Sequence, residues 1–172
     1  MEKAICEFDL RSLYEAVDQR RRFRKLSWAG VAQEINHSRT GGHPIAPSTI
    51  RGLRGKAVAE GDGVLQILLW LGRTPESFLR GAENADAEPY RLTHPQPGRI
   101  LRWDAKALYS ALNVQREARG LTWGAVAQQV GGFSPGMLTR LARGGRVGFP
   151  GVMRIVRWLN RPAAKFTRIS DR

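Results

Sequence analysis

Few side chains in this sequence have the types and spacing that enzyme chemistry requires. The histidines are His37, His43 and His94, and none stands beside cysteines or carboxylates at metal-ligand spacing. Cys6 is the only cysteine, so no intrachain disulfide can form, and it reads as a small, half-buried residue. The stretch "GLRGKA", Gly52 to Ala57, offers glycines and a lysine but lacks the spacing and the hydroxyl of a phosphate-binding loop. No active site is apparent. The chain reads as a non-enzyme that needs neither metal nor cofactor.

What the sequence holds in excess is positive charge. Its 28 lysines and arginines face 15 acidic residues, a net +13, which points to an anionic partner such as nucleic acid or a membrane surface. The longest apolar run, "VLQILLWL" from Val64 to Leu71, is far short of the roughly 20 residues a membrane span needs. No charged start followed by an apolar core suggests a signal peptide, so the expectation is a cytoplasmic protein with no membrane partner. The run Arg20 to Lys25, "RRRFRK", suits the negative end of a helix dipole and could equally lie along a DNA backbone. With 42% hydrophobic residues the chain can bury a core, so this charge decorates a globular protein, not a disordered tail.

The elements that must carry this charge are written twice. "LSWAGVAQEI" begins at Leu26 and "LTWGAVAQQV" at Leu121, an offset of 95 that also superposes Phe8-Asp9 on Trp103-Asp104, Leu13-Tyr14 on Leu108-Tyr109, and Arg21 on Arg116. Beyond Pro47 the offset becomes 88, matching Ile50 with Leu138, Leu53 with Leu141, Val64 with Val152, Trp70-Leu71 with Trp158-Leu159, and Phe78 with Phe166. The change means seven extra residues in the first copy, within the loop-like "NHSRTGGHPIA". The sequence reads as a tandem duplication.

Each copy reads as about five short helices. Asp9 and Asp104 sit at N-cap positions, followed by the stripes Leu10, Leu13, Tyr14, Val17 and Ala105, Leu108, Leu112. Ser27 and Thr122 cap a second helix whose inward residues are Val31, Ile35 and Val126, Val130. A third helix starts near Ser48 or Pro135, and a fourth buries Val64, Ile67, Leu68, Leu71 or Val152, Ile155, Val156, Leu159. A short fifth follows Pro75 and Pro162. No segment alternates as a strand with hairpin turns, so the expected fold is all-α. Residues 81–98, with three prolines, two glycines and three acids, read as an exposed linker between one domain at 1–80 and another at 99–172. Charge divides unevenly: 13 basic and 9 acidic residues over 1–80, but 14 and 3 over 99–172.

In "LSWAGVAQEI…PSTIRGLRG" and "LTWGAVAQQVGGFSPGMLTRLARG" each copy resembles the helix-turn-helix DNA-binding domain of the Cro and lambda-repressor family, with "VLQILLWLG" and "VMRIVRWLN" similar to its closing helix. The resemblance covers nearly the whole chain outside the linker and the extreme ends. It implies that the helices at Pro47 and Pro135 are recognition helices, which such domains lay in the major groove. Their outward positions are Ser48, Thr49, Arg51 and the helix-weakening Gly52 in one copy, and Gly136, Met137, Thr139 and Arg140 in the other. Hydroxyls can serve several base edges, arginine can bond guanine in bidentate fashion, and an apolar side chain can meet a thymine methyl. It further implies phosphate contacts from Lys56, Arg143 and Arg146, although any one could be an ordinary solvated charge. Trp28 and Trp123 match a family position that often meets the backbone; packing over a helix cap is the commoner use of such a tryptophan. Two departures bear on this. Where many members have a glutamate paired to an arginine of the first helix, this chain has Arg54 and Ala142, so Arg21, Arg54 and Arg116 are expected to be free for phosphates. The turn in the first copy is also much longer than the family's.

Two readings of function follow. The first is a sequence-specific regulator of transcription, a repressor or activator of phage or mobile-element type, that reads an asymmetric bipartite site in double-stranded DNA. It would act as a monomer, a covalent pseudo-dimer, with higher oligomers open, and would need no small-molecule ligand. The second is a protein-interaction module, an antitoxin or anti-activator in which one copy turns its helices to a protein partner. Polar and basic recognition positions favour DNA; Met137 is the exception.

Overall fold

The computed structural model describes residues 8–37, 44–55, 59–80 and 85–171. Within them the chain is mostly helical, with eight α-helices and one small two-stranded sheet. Helices α1 (Leu10–Phe23), α2 (Trp28–His37), α3 (Pro47–Gly52) and α4 (Gly61–Leu71) are followed by a 3₁₀ turn at Pro75–Phe78. The order then recurs as α5 (Ala105–Ala118), α6 (Trp123–Val130), α7 (Pro135–Arg140), α8 (Phe149–Leu159) and a 3₁₀ turn at Ala163–Phe166. The expected caps are present. Asp9 accepts from the amides of Arg11 and Ser12, Asp104 from Ala107, Ser27 from Gly30 and Thr122 from Ala125. The expected stripes are buried, Leu13, Val17, Leu108 and Leu112 completely, except Tyr14 and Leu71, which are only partly covered.

Strands β1 (Ile100–Trp103) and β2 (Thr167–Ser170) correct the all-α expectation. They pair antiparallel, Ile100 against Ser170 through Trp103 against Thr167. Four residues are too few to show a period, and β1 buries Ile100, Leu101 and Trp103 without alternation, so only long-range pairing defines the strand. At the matching place in the first half, one bridge, Phe8 to Leu79, is present among the described residues.

The halves are not tethered beads. One hydrophobic cluster runs through both, and a second antiparallel bridge joins Glu60 to Gly148. It is flanked by two bonds: Gly61 N–H to the Val147 carbonyl at 3.2 Å, and Phe149 N–H to the Ala59 carbonyl at 2.8 Å. Phe149, fully buried at the start of α8, meets Phe8 with ring centroids 4.3 Å apart and Trp103 at 5.7 Å. Asp62 accepts the Trp103 N–H (2.9 Å), Gln66 donates to the Leu101 carbonyl (2.8 Å), and Glu76 accepts the Ala163 N–H (2.7 Å). From residue 85 onward the stretch expected to be a linker is largely exposed and touches this body at a few points. Thr74 donates to the Ala85 carbonyl, Leu92 packs on the core, and His94, Pro95 and Arg99 line a shallow cleft with Glu34 and Trp70. No helix among the described residues is long and apolar enough to cross a membrane.

Candidate nucleic-acid interface

A six-residue helix has little stability of its own, so α3 and α7 are held by what they rest on. Each buries one side chain, Ile50 or Leu138, both fully enclosed, and packs against the preceding helix, α2 or α6. A Leu on the following 3₁₀ turn, Leu53 or Leu141, anchors the exit. All other positions but Pro47 and Gly52 are exposed, so Ser48, Thr49 and Arg51 face solvent on α3, and Gly136, Met137, Thr139 and Arg140 on α7. Met137 is 45% exposed, a large apolar side chain in open water. Thr139 turns its hydroxyl back on the Gly136 carbonyl at 3.2 Å, leaving its oxygen free only to accept.

Entry to the two helices differs. The turn before α7 is short and passes through Gly131 and Gly132, both at positive φ (80° and 76°), and Ser134 caps the helix by accepting the Met137 N–H. Before α3 the chain is longer, and Ala46 gives no side-chain cap. There Asn36 does the closing: its amide donates to the Ile45 carbonyl and accepts the Ile45 N–H, at 2.9 and 2.8 Å. This residue carries the inserted turn back to where α3 must begin. Sequence reading passed over it, since an asparagine near a helix end announces no partner nine residues away.

The charged positions divide into two groups. Arg51, Arg54, Arg140, Arg143 and Arg146 are exposed, and none has an ion pair among the described residues. Lys56 lies outside the described residues, as do Cys6, Arg39 and His43. Arg21 and Arg116 correct the expectation that they stand free. The Arg21 guanidinium gives two bonds to Asp18 (2.9 and 2.6 Å) and one to the Leu26 carbonyl (3.0 Å), while lying 4.6 Å over the Trp28 ring. Arg116 repeats this with Asn113 (3.1 and 2.7 Å), the Leu121 carbonyl (3.1 Å) and Trp123 (5.0 Å). Tyr14 and Tyr109 stack on those tryptophans at 5.6 and 5.4 Å. In both halves the arginine is thus held by a partner one turn back on its own helix. The Tyr–Trp–Arg stacks position the start of α2 and α6, and Trp28 and Trp123 remain partly exposed there. In the basic run, Arg22 pairs with Asp18 and Arg24 with Glu34. Bonds from Trp70 and Arg24 hold the Glu34 carboxyl below its usual range, against a smaller opposing effect of burial.

The exposed arginines are unequally distributed. Beyond α7, Arg143 and Arg146 stand in the open, where the sequence of the first copy has Gly55 and Val58 at the matching places. Such a surface can bind polyanions by charge and offer fork-shaped donors to phosphates or guanine edges. No group of three or more His, Cys, Asp or Glu side chains that could hold a metal occurs among the described residues. Comparison of the chain with protein-family models, with curated proteins and with solved structures finds no match.

Proposed function

We propose that this protein is a sequence-specific double-stranded DNA-binding regulator of transcription. In this reading each half is a helix-turn-helix unit of the kind its sequence resembles, with α3 and α7 as recognition helices reading two unlike parts of one operator. The observation that carries it is a pair of short helices, each anchored by a single buried residue and presenting hydroxyl, arginine or small residues to solvent. Base contacts fall to Ser48, Thr49, Arg51, Gly136, Met137, Thr139 and Arg140; backbone contacts fall to Arg54, Lys56, Arg143, Arg146, Trp28 and Trp123. Selection of duplexes from a random library by the full chain, followed by footprinting, tests it. Enrichment of one motif is expected, and recovery of random sequence would exclude sequence-specific reading.

Exposed Met137 favours a second reading, in which α7 meets a protein, as in an antitoxin or anti-activator. Met137→Lys separates the two. Lysine in place of the thioether abolishes capture of a protein partner through an apolar contact, whereas DNA binding is retained and shifts preference at one base pair.

A further inference from the structure

The contact between the halves has a symmetry that the sequence repeat does not require. Glu60 and Gly148, which face each other across the bridge, occupy the same place in the two copies. The flanking bonds exchange roles in the same way: Gly61 donates to Val147 as Phe149 donates to Ala59, and each pair of names is one repeat position in two copies. Phe8 against Phe149 has its counterpart in Trp103 against Gly61, the larger ring of one pair meeting the missing side chain of the other. Helix α4 packs on its own equivalent α8, and the 3₁₀ turn Pro75–Phe78 on Ala163–Phe166. When position a of one copy meets b of the other and b meets a, the operation relating the copies is a rotation by half a turn. A head-to-tail stacking of repeats would give contacts of one sense only.

We infer that the protein carries an internal two-fold axis, running between Glu60 and Gly148, and that it binds duplex DNA with this axis on a local dyad of the duplex. A single chain then reads two half-sites in inverted orientation at one fixed spacing. The inference rests on the DNA-binding reading above and adds orientation and rigidity to it. Whatever direction α3 takes along the groove, the half-turn gives α7 the opposite one. The shared core holds the two helices in one relation, so direct repeats and variable gaps are not accommodated. Because Ser48, Thr49 and Arg51 differ from Gly136, Met137 and Thr139 at the same places, the half-sites are inverted in geometry but unlike in sequence. Orientation must therefore be read from the complex and not from the bases.

The test uses the full chain on a duplex selected from a random library. An iron chelate is tethered at the exposed, equivalent positions 33 and 128, through Gln33→Cys or Gln128→Cys with Cys6→Ser, and strand cleavage is mapped. The expected result is two sets of cuts on opposite strands, related by a two-fold about one centre. In parallel, 5 or 10 base pairs are inserted at that centre, half a turn or a whole turn. Both insertions should lower affinity about 100-fold, because either leaves only one half bound and the gain from joining two contacts is lost. Cuts on one strand displaced by a translation, or affinity kept with the 10-base-pair insertion, would overturn the inference while leaving DNA binding intact. Failure to enrich any duplex would overturn the DNA-binding reading itself, and the inference with it.

Discussion

The indole of Trp103 occupies the space that a side chain on Gly61 would need. A Cβ built at Gly61 would lie 2.7 Å from Trp103 Cδ1 and 2.5 Å from the Val147 carbonyl oxygen. The second of these is backbone in the bridge between the halves, so it cannot swing aside. Gly61→Ala is expected to destabilise the chain by about 1–3 kcal/mol, the usual cost of overpacking. Gly136→Ala serves as the control, because nothing lies within 4 Å of a Cβ there. That change should instead stabilise by up to about 1 kcal/mol through helix propensity. Urea unfolding of both variants checks the pair; equal effects would show that the close approach is not a constraint.

Shared burial also predicts how the chain unfolds. Phe149, Trp103 and Leu101 are each buried, and the contacts that cover them come in part from the first half. Separating the halves would expose them to water, so the chain should unfold in a single calorimetric transition. Two resolved transitions would mean that the halves part readily.

Which of these features could be read from the sequence follows from range. Helix caps at Asp9, Ser27, Asp104 and Thr122, and stripes such as Leu10, Leu13 and Val17, depend on neighbours within one or two turns, and all were legible. The repeat also located α3 and α7, since Ile50 and Leu138 are their only inward residues. Illegible were relations between distant positions. The β1–β2 pairing spans more than 60 residues, and the Asn36–Ile45 clasp crosses an insertion. Arg21 was misjudged because its carboxylate partner was sought on another helix, when Asp18 lies three residues away on its own. The dyad was hidden for a different reason. A duplicated sequence is equally compatible with rotation and translation, and only contacts such as Glu60 with Gly148 decide between them.

Glu76 gives the chain a pH response of defined sign. It is 7% exposed, accepts the Ala163 N–H across the halves, and its second oxygen has no hydrogen-bond partner among the described residues. Burial raises its pKa above the ordinary 4.5, and the Ala163 amide offsets this only in part. A carboxyl whose folded value is raised takes up protons on folding, so ionised Glu76 disfavours the folded state at neutral pH. That cost disappears as pH falls through the raised value and is gone below about 4.5. Asp62, raised mainly by burial as well, acts with the same sign. Glu76→Gln keeps an acceptor for Ala163 and removes the charge. It should be more stable than the parent at pH 7, with a smaller gain on going to pH 5. A variant less stable at pH 7 would show that the carboxylate is net favourable where it sits.

On DNA, the exposed arginines of the second half should separate into two behaviours. Arg143 and Arg146 stand beyond the end of α7, have no acidic partner among the described residues, and suit phosphates. Each phosphate they neutralise releases counterions, so removing both should flatten the dependence of log affinity on log salt by about 2. The loss should be the same on selected and random duplexes. Arg140 lies within α7 beside Met137 and Thr139, where a guanidinium can reach a base edge. Arg140→Ala should therefore cost about 1–3 kcal/mol on the selected site, relax preference in one half-site only, and scarcely affect binding to random DNA. The same pair of measurements on Arg51→Ala should relax the other half-site. Anisotropy titrations at several salt concentrations, with selected and scrambled duplexes, provide all of these values. If Arg140→Ala weakens both duplexes equally, Arg140 is a backbone contact and the bases are read by its neighbours.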